Sequence, residues 1–260
     1  MVRTALLLAL LFPPLRAAAQ LAQPNELHDR RFAIVRTGGV GAALTPFRRG
    51  VAADHLINYG EGAFPVTGLE ANYRLGQRLG LTFGLQALAF EPHRRRNERL
   101  WSAFRERYGG SYFVPDPTLD LYRNLNVSIS PYLGGFYRAT FRRFTLSPRL
   151  QVGYTPTVPD WTRLSLKGIG TNEELDVFLQ ARREETNRYP LTVLAGTAVH
   201  YTVNEHFGLA LDVRAFGLRM NIPVVESTRD RFTEAVTTET HHYRKFIRGL
   251  YVSLGGAAYF

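Results

Sequence analysis

Hydrophobic and polar residues alternate with a period of two through most of the chain, the spacing of strands whose two faces meet different surroundings. The pattern is cleanest where Phe144, Leu146, Pro148, Leu150, Val152 and Tyr154 are set against Thr145, Ser147, Arg149, Gln151 and Gly153. Comparable stretches cover 32–44, 64–75, 79–91, 126–141, 189–203, 207–216 and 247–260. Each is near the ~9–11 residues, or slightly more, that a tilted membrane strand requires. Connections alternate in length: short ones fall near Gly76, Arg142 and Asn204, and long ones cover 45–62, 92–124, 155–188 and about 221–245. In the third long connection, Thr171 and Glu174 fit a capping box and predict a helix over 172–185. In the fourth, 232–242 reads as the final strand continued beyond a membrane, in an external hairpin with 222–227.

Alternation alone does not say which face is outside. The non-apolar face is dominated by Gly, Ser, Thr and Ala with single charges, which suits a narrow filled lumen better than a solvated surface. The apolar face carries Tyr73, Phe141, Phe144, Tyr201, Phe207 and Phe260 beside the short turns, as a girdle of interfacial aromatics would. The predicted fold is therefore all-β, a membrane-spanning antiparallel up-and-down barrel of about eight strands with short periplasmic turns and long extracellular loops.

The chain ends agree. Residues 1–19 read as a signal peptide, with an apolar run from Ala5 to Phe12 and small residues Ala17, Ala18 and Ala19 at the cleavage site. Residues 20–260 are then one barrel domain. The absence of cysteine excludes acylated-cysteine anchoring, disulfides and thiolate chemistry. The formal charge is +10, and Lys167 and Lys245 are the only lysines, so the positive charge is almost all arginine, whose planar fork suits phosphate and carboxylate. For an exported chain the acidic partner is lipopolysaccharide rather than nucleic acid.

The closing strand, 247–260, puts Leu250, Val252, Leu254 and Phe260 on one face and stops on an aromatic residue. In this it resembles the C-terminal insertion signal of bacterial outer-membrane barrels. Taken whole, the chain resembles the small outer-membrane barrels of the OmpA-transmembrane, OmpW and OmpX type. The resemblance implies fold and outer-membrane location, with Phe260 as insertion signal, and carries no catalytic residues.

The lumen face collects Arg36, Glu70, Arg74, Arg138, Arg149, His200, Asp212 and Arg214. They read either as an interior salt-bridge network filling the barrel or as the lining of a narrow, anion-favouring pore. In the second long loop Arg94, Arg95, Arg96, Arg99, Arg105 and Arg107 interleave with Trp101 and Phe104. That set is either an extracellular patch gripping lipopolysaccharide phosphates or a partner, or a helix whose apolar residues cap the barrel mouth. No catalytic constellation is expected: Ser227, Asp230, Glu234, Glu239, His241 and His242 gather near the outer rim without an aligned nucleophile and base. Neither a metal nor another cofactor is expected, because adjacent strand residues such as His241 and His242 point to opposite faces. The function class is a non-enzymatic barrel with loops for binding or envelope organisation. The competing readings are a narrow solute channel and a barrel subunit of a larger envelope complex with another protein.

Overall fold

The computed structural model describes residues 30–45, 62–90, 94–115, 126–156, 161–182, 185 and 189–260; the signal-peptide expectation lies outside them. Eight antiparallel staves follow the alternation closely. They are β1 (Phe32–Ala43), β2 (Gly62–Arg74), β3 (Leu79–Phe90), β5 (Asn126–Tyr137) with its continuation β6 (Ala139–Phe141), β7 (Phe144–Tyr154), β10 (Leu191–Thr202), β11 (Phe207–Asp230) and β12 (Val236–Tyr259). Each pairs with its sequence neighbour, and β12 returns to β1 in the register Val35↔Ala257, so the sheet closes. Closure removes the sheet edges and satisfies the backbone between strands, as hydrocarbon demands. One interruption has a local cause. The β7 ladder with β5 and β6 skips the level of Pro148, which has no N–H to donate, while on the other side Arg138 N continues the β3–β5 ladder by donating to Arg78 O at 2.6 Å.

β11 and β12 are twice as long as the other staves and run on together as a hairpin beyond the barrel. The outer half of β11 then pairs with β9 (Glu174–Ala181), which pairs with β8 (Trp161–Gly168), which pairs with the two-residue β4 (Tyr112–Phe113). A helix, α1 (Arg94–Tyr108), lies in the second long connection. The barrel thus carries an outer sheet and helix on its long-loop end. The helix predicted over 172–185 is corrected: Glu174–Ala181 is a strand, because the projecting β11 offers a row of backbone partners that a local capping signal cannot match. Thr171 instead sits in the β8–β9 turn, where Gly170 takes φ +75 and Glu173 N donates to the Thr171 hydroxyl at 3.5 Å.

Candidate functional site

The wall comes first, because it decides where the molecule sits. Along the lower halves of the staves the outward side chains are apolar and exposed, among them Leu81, Phe83, Leu133, Leu150, Leu211, Leu250 and Leu254. Aromatic residues ring the short-turn end: Phe32 and Phe260 lie 6.0 Å apart and Phe144 and Tyr201 5.0 Å apart, while Tyr73, Phe141 and Phe207 are exposed beside them. A water-soluble barrel has no use for such a band; lipid requires it. This is a small membrane-spanning β-barrel.

No family model and no curated protein matches the sequence. Among solved structures the barrel is similar to Neisserial surface protein A, with TM-score 0.45 and 12% identity over 88% of this chain and 97% of that one. It is also similar to a major outer membrane protein from Thermus thermophilus, with TM-score 0.42 and 13% identity over 90% and 100% of the two chains.

Seven of the eight expected lumen residues point inward. Glu70 on β2 is the hub. It pairs with Arg149 of β7 and accepts hydrogen bonds from Arg214 at 2.6 Å, the Tyr132 hydroxyl at 3.1 Å and Gln151 at 3.3 Å. Four donors nearly saturate a carboxylate. Arg214 also pairs with Asp212, donates to Gln151 Oε1 at 2.8 Å and lies 5.2 Å from the Tyr132 ring centre. Gln151 donates on to the Thr82 hydroxyl at 3.2 Å. Tyr132 fits because its neighbour is Gly84, where a Cβ would stand 2.5 Å from the ring. Arg74, Arg138 and His200 line the lumen below this layer, towards the short turns. Arg36 is corrected. Its neighbour Val35 pairs with the inward Glu70 and Ala257, so Arg36 faces outward between Leu69 and Gly256.

Above the polar layer the lumen turns apolar. Phe64 and Phe216 meet edge-on at 6.2 Å, with Val66, Leu88, Leu194 and Leu218 around them. The same buried cluster continues without a break through Met220, Ile222 and Val224 of β11 to Leu164, Leu166, Val177 and Leu179 of β8 and β9. Leu100 and Phe104 of α1, 1% and 4% exposed, join it. Leu100, Ala103, Phe104 and Tyr108 recur at helical spacing and form the helix's buried face. Two bonds hold α1 in place: Arg107 and the Tyr108 hydroxyl each donate to Glu226 at 2.6 Å. Burial, followed by the hydrogen bond to Glu226, pushes the Tyr108 hydroxyl pKa well up.

These contacts place the expected loop patch. Phe104 is in the core, Trp101 is half-buried with Arg105 4.4 Å over its ring, and Arg107 is held by Glu226. The side chains of Arg94, Arg95, Arg96 and Arg99 lie outside the described residues. A second set escaped the sequence reading. On the wall above the apolar band, Arg219 of β11 and Arg244 and Arg248 of β12 all point outward around Phe246. Arg219 pairs directly with Phe246, while Arg248 and Arg244 face Gly217 and Asn221, so the three guanidinium stems fall on adjacent diagonals. Arg248 is twelve residues from the aromatic girdle at Phe260. At ~3.3 Å per residue and a ~40° tilt, that is about 30 Å, one hydrocarbon thickness. The clue in the sequence was the switch of the outward face from Leu254, Val252 and Leu250 to Arg248 and Arg244.

Proposed function

We propose that this chain is a non-enzymatic, non-conducting outer-membrane barrel that organises the outer leaflet by gripping the phosphates of its lipid. The observation that carries this reading is the triad Arg219, Arg244 and Arg248, exposed around Phe246 one hydrocarbon thickness above the periplasmic girdle. Guanidinium forks bind phosphate oxygens in pairs, and Phe246 provides an acyl-chain contact between them. The outer sheet and α1, fused to the barrel through one apolar core, make a firm platform beyond it. The test is lipopolysaccharide binding to the refolded barrel. Replacing Arg219, Arg244 and Arg248 together by Gln is expected to weaken binding at least tenfold while leaving the fold intact; undiminished binding sinks the reading.

A subunit role is the second reading. Among the described residues, no strand pairs with β12 on its β1 side beyond Gly249, and a strand added along that edge is the form that a partner contact would take. A stoichiometric protein retained through purification from outer membranes in mild detergent, and lost when Thr238 and Thr240 are replaced by Pro, would favour it.

A further inference from the structure

We propose that the lipid-facing wall at β1 holds one phospholipid of net negative charge in the leaflet on the short-turn side, its phosphate gripped by Arg36. Arg36 is exposed and points outward, between Leu69 of β2 and Gly256 of β12. Below the level of Arg219 and Arg248 the outward side chains of the eight staves are otherwise apolar, aromatic, glycine or threonine. Among the described residues, Arg36 is thus the one charge on the hydrocarbon band. It stands four residues above the girdle on two staves, counted from Phe32 along β1 and, through its partner Gly256, from Phe260. At ~3.3 Å per residue and a ~40° tilt, that is about 10 Å, a third of the hydrocarbon thickness. A guanidinium stranded at that depth is costly, so its flexible stem turns the head towards the girdle, where the group it meets is a lipid phosphate. No hydrogen bond or ion pair of Arg36 occurs among the described residues, and its whole planar fork is free to bind phosphate oxygens.

The wall around Arg36 leaves room for a lipid. Gly256 is its direct neighbour, and Gly38 follows it on the same face, where a Cβ would meet nothing within 4 Å. Leu69 and Leu254, 52% and 66% exposed, flank this shallow strip and suit an acyl chain. Tyr73 stands exposed opposite Phe32 at the girdle, with a hydroxyl for the same headgroup. Charge selects the occupant. A zwitterionic headgroup brings an ammonium that competes with Arg36 for its own phosphate, and a net-negative headgroup does not. A second copy of the chain is disfavoured, since a two-fold contact through this face sets one Arg36 against the other. The site shares no residue with the outer-leaflet triad and stands or falls separately.

Native mass spectrometry of the folded barrel tests the site, with release from micelles that hold equal amounts of phosphatidylglycerol and phosphatidylethanolamine. The measurement is made on the wild type and, to silence the outer-leaflet triad, on the barrel with Arg219, Arg244 and Arg248 replaced by Gln. In that variant one phosphatidylglycerol per barrel is expected to survive release, at least tenfold over phosphatidylethanolamine. Adding Arg36→Leu is expected to abolish the preference. Leucine suits a lipid-facing position, so the Arg36→Leu barrel should fold, with the shift in gel migration on boiling as the check; should it not, Arg36→Gln makes the same test. Equal retention of the two lipids, phosphatidylglycerol retention undiminished by the loss of Arg36, or barrel dimers in place of lipid-bound monomers would overturn the proposal.

Discussion

Glu70 is the residue on which the lower lumen depends, because two buried arginines and a buried tyrosine all donate to it. Removing its charge leaves Arg149 buried without its carboxylate and Arg214 with Asp212 alone, a penalty of about 3–5 kcal/mol. Glu70→Gln is therefore expected to lower unfolding stability by roughly that amount, and urea unfolding of the refolded barrel measures it; a loss near zero would mean that water reaches the layer and screens it. The inward set was largely legible in the sequence, since parity alone put Glu70, Arg149, Asp212 and Arg214 on one side. Arg36 was misplaced because Gly38, Gly39 and Gly41 blur the parity of β1, and only its pairing with β2 and β12 fixes it. Which inward residues share a level was not legible, because that depends on the stagger between staves.

At the scale of elements, the outer sheet is tied at its tip by Asp176 of β9. Arg231, just past β11, grips this carboxylate with Nε at 2.9 Å and Nη2 at 3.0 Å, and Arg163 of β8 adds a bond at 2.9 Å. The Arg231 bonds foremost, with Ser165 and Arg163 behind them, hold the Asp176 pKa well below its usual value of 3.8 against the opposing effect of burial. A depressed carboxylate contributes stability that is fully present above the unfolded value and is lost as pH falls through the folded one. The local opening free energy of β8 and β9, taken from hydrogen exchange after correction for the intrinsic pH dependence of amide exchange, should thus stay flat from neutrality down to about pH 4 and fall only in stronger acid. Asp176→Asn should lower it by about 1–2 kcal/mol from neutrality down to about pH 4, since Arg231 and Arg163 are half in water, and the difference from wild type should shrink in stronger acid. This sheet was the least legible part of the chain. The eight staves announce themselves by period, but β9 depends on a partner: Leu175, Val177 and Leu179 read equally as strand or helix until β11 is known to project beside them. The same projection explains why the hairpin of β11 and β12 was expected while its third and fourth strands were not.

For the molecule as a whole, the lumen is closed twice. The layer of Glu70, Arg149, Arg214 and Gln151 fills it with bonded polar groups, and the Phe64–Phe216 contact with its aliphatic surround fills it again nearer the cell surface, beneath α1. An eight-stranded barrel has an interior just wide enough for side chains, so either layer suffices to stop ions. The wild-type barrel is accordingly expected to give no unitary current steps in a planar bilayer. Removing one layer alone should not change that: Phe64→Ala with Phe216→Ala leaves the polar layer, and Glu70→Ala with Arg149→Ala and Arg214→Ala leaves the apolar one. The five substitutions together remove the centre of both layers, and that variant is the one expected to conduct if it still folds, once the aliphatic surround and α1 part above the gap. Steps in the wild type, or in either partial variant, would mean that the layers part in the membrane and would return the narrow-channel reading to first place. Silence in the partial variants and conduction in the combined one would show two seals in series.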